Sequence, residues 1–329
     1  MHKKLATIGS AGAVALLFSA CGPSVTSAEE EIKDGVHIVA TFSIVADMVE
    51  NIAGPQAHVH SIVPLGVDPH EYTPLAADIE ETTHADVVFF NGLNMEVGDG
   101  WFESLIDTAG KEADSDQVVE VSAGVEPMYL APSDGSEHEI NPHAFLDPTV
   151  GMIYAENIRD GLIAIDPDNA QEYEARAAEY LDDLRDIDAQ YQEKLAEIPP
   201  DQRVLVTSEN AYQYMAARYD LTTGYIWAID TEEQGSPGQI TQLVSLIRER
   251  KVPVVFVESN VDTRPMETVA DEAEVPIAGT IFSDELGKPD ETGGTYLAML
   301  EHNLTQIHSG LTGKTGADSG DDDRDVNTE

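Results

Sequence analysis

Basic residues and cysteine are both scarce in this 329-residue sequence. Only 17 Lys and Arg stand against 62 Asp and Glu, a formal net charge of −45. Such a deficit of positive charge excludes binding nucleic acid or an anionic membrane through a basic face. The single cysteine, Cys21, excludes an intramolecular disulfide, a zinc–cysteine cluster and a Cys-x-x-Cys redox site. Beyond residues 1–20 no apolar run approaches the ~20 residues needed to span a bilayer. Several motifs are also missing. No Gly-x-Gly-x-x-Gly or Gly-x-x-x-x-Gly-Lys-Ser/Thr loop supports a nucleotide site, and no Gly-x-Ser-x-Gly elbow or His-Glu-x-x-His helix supports the hydrolases built on them. What is present is a 42% hydrophobic content, enough to bury a core, so the acid excess does not mean a disordered chain. The length predicts about two domains.

Residues 1–20 read as an export signal, with His2, Lys3 and Lys4 as a positive start and an apolar stretch from Leu5 to Phe18. It ends Leu17-Phe18-Ser19-Ala20-Cys21-Gly22. Small residues before a lone cysteine resemble a bacterial lipobox, which makes Cys21 the expected lipidation site and residues 21–34 a lipidated tether. The protein is therefore expected to be exported and lipid-anchored to the outer face of the cytoplasmic membrane, or to occupy a periplasm. Residues 313–329 carry an Asp321-Asp322-Asp323 run without apolar periodicity and are expected to form a disordered acidic tail. The remaining acids are spread along the chain. That is the pattern of a solvated surface in a salty medium, where charge is screened within ~3 Å at 1 M salt.

Between these ends the pattern repeats. Strands are predicted at 36–40, 58–63 and 87–90, with helices between them and a closing helix at 148–165. A second set of strands is predicted at 204–207, 223–227, 254–257 and 277–282, with helices at 211–219, 237–250, 264–273 and 296–308. Alternating strands and helices indicate parallel sheets. Between the halves, Tyr173, Ala177, Tyr180, Leu184, Ile187, Tyr191 and Leu195 recur in steps of three and four, one face of a long helix. The predicted fold is thus α/β: two βα lobes with parallel sheets, at 35–165 and 200–312, joined by one long rigid linker helix at 166–199.

In open α/β sheets ligands bind beyond the carboxyl ends of the strands. Four such places carry groups able to hold a metal: Asp68-Pro69-His70-Glu71, Asn141-Pro142-His143, Ser208-Glu209-Asn210 and Ser283-Asp284-Glu285. Each alone has a blander reading, a loop histidine or a helix cap. Two Pro-His dipeptides in one half and two acids at matching ends of the other half make a mixed nitrogen–oxygen site at His70, His143, Glu209 and Asp284.

These segments resemble the metal-binding class of ABC-transporter solute-binding proteins, the PsaA/TroA/ZnuA-like group. The resemblance also takes in Thr41-Phe42-Ser43-Ile44-Val45-Ala46-Asp47, Asn91-Gly92-Leu93-Asn94, Pro142-His143-Ala144-Phe145-Leu146-Asp147, Tyr225-Ile226-Trp227, Thr231-Glu232-Glu233, Val257-Glu258-Ser259 and Phe282-Ser283-Asp284. It implies a divalent metal in the interlobe cleft, held by the same four residues. It also implies partners: an ABC permease and its ATPase subunit, with the carrier itself expected as a monomer. Asn141, Phe145 and Asn210 depart from the usual pattern, where Asp, Trp and a small residue or Asp are common.

Two imidazoles and two carboxylates suit Mn²⁺ or Fe²⁺, although Zn²⁺ stands above both in intrinsic affinity. The zinc branch of the family usually has histidine where this chain has Glu209, so manganese is the first expectation, with zinc and ferrous iron as alternatives. A metal-dependent hydrolase would need a general base, for which Glu71, Glu258 and Glu285 are candidates. Four protein ligands leave that reading, and that of an adhesin, remote. The chain is not expected to be an enzyme.

Overall fold

Valine, isoleucine and phenylalanine in short unbroken runs are what parallel strands covered on both faces require. Such runs form the centre of this protein in its computed structural model, which describes residues 35–55, 57–96, 100–130, 139–229 and 235–313. The signal at 1–20, Cys21, the tether at 21–34 and the tail beyond Gly313 lie outside the described residues. So does His138.

The first half runs β1 (His37–Ala40), α1 (Ser43–Ala53), β2 (His58–Ser61), α2 (Ala76–His84), β3 (Val87–Phe90), α3 (Trp101–Thr108) and β4 (Val118–Glu120). Its four strands pair in the order β2-β1-β3-β4, all parallel. Every parallel neighbour needs a crossover, and the helices provide it. A short 3-10 turn, His143–Leu146, then enters α4 (Pro148–Ile165). Asp147 caps α4 by accepting from Thr149 N at 2.8 Å, and Pro148 stands at the first helical position, where no N–H is needed.

The second half follows α5 (Ala170–Ala196) with β5 (Val204–Glu209), α6 (Gln213–Arg218), β6 (Thr222–Trp227), α7 (Pro237–Arg250), β7 (Val255–Glu258), α8 (Arg264–Ala273), β8 (Ile277–Ile281) and α9 (Tyr296–Thr312). Here β5 pairs with β6 and β7 with β8, both parallel, and the two pairs lie side by side as separate ladders. The fold is therefore the α/β arrangement of two βα halves with parallel sheets. The sequence pattern missed β4, and the division of the second sheet is a matter of backbone pairing that periodicity does not carry.

The joining helix α5 has 27 residues, a rod of ~40 Å at ~1.5 Å per residue. It is more than a spacer. Tyr173, Ala177, Tyr180, Leu181, Leu184, Ile187, Tyr191 and Leu195 are all buried, and the helix packs against α1, α4 and α9. Tyr191 Oη donates to Leu300 O at 2.7 Å, fastening the last helix to it. One apolar core consequently runs from the first sheet through α4 and α5 to α9, and a smaller one lies under α7 and α8. All the described residues belong to one compact unit. Among them, no helix is long and apolar enough to cross a membrane.

Close approach of α4 to the first sheet depends on Gly161. A Cβ there would stand 2.8 Å from Phe89 Cε1 and 3.2 Å from Val119 Cγ2. Valine at this position gains at most ~1 kcal/mol of helix propensity but overpacks a fully buried ring, which typically costs ~1–3 kcal/mol. Gly161→Val is expected to lose about 2 kcal/mol of unfolding free energy in urea denaturation, with the helix content of the native protein unchanged.

Candidate metal centre

Each of the four sequence-predicted residues sits at an element's end. His70 lies in the loop between β2 and α2, and His143 opens the turn before α4. Glu209 is the last residue of β5, inside the strand rather than beyond it, and Asp284 follows β8. The structure brings all four together. They are 5%, 1%, 0% and 2% exposed, so the cluster is shielded from bulk water.

The two imidazoles face each other with ring centroids 5.3 Å apart and their Nε2 atoms 3.4 Å apart. Asp284 Oδ1 lies 2.7 Å from His143 Nε2 and 3.8 Å from His70 Nε2, and Glu209 Oε1 lies 3.8 Å from His143 Nε2. Donor atoms of His70, His143 and Glu209 all fall within 4.8 Å of one another. Tetrahedral ligands at ~2.1 Å from a metal stand ~3.4 Å apart, so most of these separations suit one ion, and the Asp284–His143 contact would open slightly around it.

Supporting groups aim the donors. His70 N donates to Asp68 Oδ1 at 2.7 Å, and Trp101 Nε1 donates to Pro69 O at 3.2 Å, pinning the His70 loop. Asp284 Oδ2 accepts from Asn260 Nδ2 and from Ser283 Oγ, both at 2.9 Å, which turns Oδ1 toward the histidines. Asn141 Oδ1 lies 3.0 Å from His143 N and 2.9 Å from His143 Nδ1. Behind Glu209, the buried Glu258 accepts the N–H groups of Ser208 and Glu209 at 3.1 and 2.9 Å. Glu96 mirrors it in the first half, accepting from Thr41 Oγ1, Asn91 N and Gly92 N just past β1 and β3. Buried carboxylates thus stand in for ladder bonds where the strands stop. Sequence reasoning gave Glu258 no role but that of a candidate base, named Ser283 only as a neighbour of Asp284, and missed Asn260 and Glu96. The signal available for Asn260 and Ser283 was their place beside carboxylates at neighbouring strand ends.

Electrostatics favour a cation here. Burial pushes the His143 imidazole below its usual range, the Asp284 carboxylate pulls it back, and His70 adds to the depression. Burial works to raise Asp284, but the two imidazoles outweigh it and hold its carboxyl well below the usual carboxylate range. With Nδ1 engaged by Asn141, Nε2 is the ring atom that meets the Asp284 carboxylate, at 2.7 Å. Asp284 Oδ1 is buried, with His143 Nε2 as its near partner. A buried carboxylate favours a positive charge beside it, which an imidazolium or a metal cation supplies.

The candidate bases are engaged elsewhere. Glu71 is exposed, Glu285 accepts the Gly66 N–H, and both oxygens of Glu258 take backbone N–H groups. A hydrolase has no free base at this site among the described residues.

Fold and cluster together define an α/β protein of two βα halves with a buried His₂–carboxylate centre between their strand ends. The family described as ZnuA, zinc-uptake complex component A, periplasmic, matches residues 38–310, and the chain belongs to this family. It is 43% identical over 300 residues to the metal ABC transporter substrate-binding lipoprotein SsaB of Streptococcus sanguinis, covering 91% of this chain and 96% of that one. It is 41% identical over 312 residues to the manganese ABC transporter substrate-binding lipoprotein PsaA of Streptococcus pneumoniae, covering 94% and 99%. Among solved structures, the Mn-bound periplasmic metal binding protein of Candidatus Liberibacter asiaticus superposes with a TM-score of 0.74 at 32% identity, covering 83% and 98%. The periplasmic zinc binding protein TroA of Treponema pallidum gives 0.76 at 29% identity, covering 84% and 99%.

Burial also pushes Glu258 up, from 4.5 to about 7. A carboxyl with a raised native pKa keeps a proton that the unfolded chain has already released. It therefore withdraws stability as pH rises between about 4.5 and 7. Glu258→Gln cannot titrate. The stability difference between metal-free wild type and this variant is expected to move by ~2 kcal/mol in the variant's favour from about pH 5 to about pH 8, as read by urea denaturation.

Proposed function

We propose that this protein is the substrate-binding component of an ABC transporter for a divalent transition metal. Manganese is its preferred cargo, held by His70, His143, Glu209 and Asp284. The observation that carries the proposal is the convergence on His143 Nε2 of Asp284 Oδ1 at 2.7 Å, His70 Nε2 at 3.4 Å and Glu209 Oε1 at 3.8 Å in a buried cluster. The names of the relatives, which include manganese and metal ABC transporter substrate-binding lipoproteins, support it. The protein performs no reaction. It binds the ion outside the cytoplasm and hands it to a membrane permease driven by an ATPase subunit.

The donor set explains the choice of ion. Two carboxylates bring a ligand charge of −2, which neutralises the cation without the solvation it gives up on burial. Oxygen donors favour hard ions such as Mn²⁺, and two neutral imidazoles suit Mn²⁺, Fe²⁺ and Zn²⁺ alike. Zinc is the rival cargo, since it binds such a set at least as tightly in a tube. Discrimination then rests on supply and on release to the permease. We read residues 35–165 and 200–312 as the two metal-binding lobes and residues 166–199 as the helix that joins them. Cys21 is the lipid anchor that keeps the carrier at the outer face of the cytoplasmic membrane, and the tail at 313–329 is a solvated acidic extension.

Wild type purified without added metal should bind one Mn²⁺ per chain in a calorimetric titration. Glu209→His exchanges an anionic oxygen for a neutral nitrogen. It is expected to weaken Mn²⁺ binding at least ~tenfold, about 1.4 kcal/mol, while Zn²⁺ binding stays comparable. Equal shifts for both ions would remove the argument for manganese. For the anchor, Cys21→Ala should move the protein from the membrane fraction to the medium, because one acyl chain holds marginally and two hold firmly. Unchanged partition of this variant would exclude lipidation at Cys21.

A further inference from the structure

Asn141 is fully buried, and its amide has no spare hydrogen-bonding capacity. Its Oδ1 takes two contacts from His143, the backbone N–H at 3.0 Å and ring Nδ1 at 2.9 Å. Its Nδ2 donates to Asn210 O at 2.8 Å and to Gln213 Oε1 at 3.0 Å. The backbone N–H of His143 can only donate, so the atom facing it must be the amide oxygen. The carbonyl of Asn210 can only accept, so the atom facing it must be the amide nitrogen. These two main-chain groups settle which way the amide points, a point that side-chain geometry alone leaves open. An oxygen facing ring Nδ1 at hydrogen-bond distance requires a proton on Nδ1.

We propose that Asn141 is a positioning residue: its amide locks His143 as the Nδ1–H tautomer and so leaves Nε2 as the donor atom turned into the cluster. The inference deepens the metal-carrier reading and rests on it for its consequence, though not for its geometry. A ligating imidazole is oriented by whatever its second nitrogen donates to, and a carboxylate there makes it a stronger donor. Here the partner is a neutral amide. The imidazole keeps its aim but gains no extra basicity, and the buried charge of the site stays at that of its two carboxylates. Such a partner suits a protein that must give its cargo up. Asn210 follows Glu209 directly and Gln213 opens α6 three residues later, so the group that orients His143 is itself held by the segment leaving the strand of a second donor.

The test uses the full chain, metal-free, with imidazole nitrogens observed by ¹⁵N-edited NMR, and Mn²⁺ affinity measured separately. Wild-type His143 should carry a proton on Nδ1. Asn141→Ala should lose it and should bind Mn²⁺ ~10- to 100-fold more weakly. Asn141→Asp keeps an oxygen against Nδ1 and should retain the wild-type tautomer. A merely structural role would lower stability without moving the tautomer. Wild-type His143 without a proton on Nδ1 would overturn the proposal, as would Asn141→Ala that keeps both the Nδ1–H pattern and wild-type Mn²⁺ affinity. If the alanine variant does not fold, the wild-type and aspartate spectra decide the matter. Should wild type bind no Mn²⁺ yet show the Nδ1–H tautomer, the carrier reading fails while the positioning role of Asn141 stands.

Discussion

Burial of two imidazoles and two carboxylates in one cluster is the constraint around which this molecule is organised. The four groups come from four separate chain segments and are held within a few ångströms, out of water. Burying so many polar groups is costly unless each is well supported. They stay together because each is fastened from behind by bonds that do not involve the cluster: Asn141 behind His143, Glu258 behind the end of β5, and Asn260 with Ser283 behind Asp284. The surrounding α/β scaffold thus holds the four groups in place from outside the cluster.

The scaffold does so by cross-tying the halves. Leu286 N donates to Ser43 Oγ, Tyr296 N donates to Asp47 Oδ2, and Tyr296 Oη donates to Phe145 O, so the segment that follows Asp284 is clipped to the first half. In the other direction, Tyr214 Oη on α6 donates to Asn141 O at 2.9 Å, and Met128 N donates to the same hydroxyl at 2.8 Å. With α5 buried along its length, the core is continuous from the first sheet to the last helix.

Much of this was legible in the residues. Unbroken apolar runs marked the strands, steps of three and four marked α5 to within a turn, and two Pro-His dipeptides with two strand-end acids picked out the four cluster members. What escaped has a common cause. The roles of Asn141, Asn260 and Glu258 depend on which backbone groups come near them, and hydrophobic periodicity carries no information about that. Glu258 looked like a base because a strand-end acid can be one, yet its lone pairs are spent on the N–H groups of Ser208 and Glu209. The long helix looked like a spacer because its apolar stripe was read as stiffening, whereas three other helices cover it.

The cross-ties bear on time as well as on equilibrium. A hinge opens quickly because few contacts lie across it, and a cleft stitched from both sides has no such line of weakness. An ion at the centre can leave only when individual loops, such as the one carrying His70 or the one following Asp284, break their own hydrogen bonds. Escape then takes the time of a local unfolding event rather than of a domain swing. A chelator added in solution would meet a cargo that is slow to surrender whatever its affinity, and fast discharge would fall to a partner that pries those loops apart.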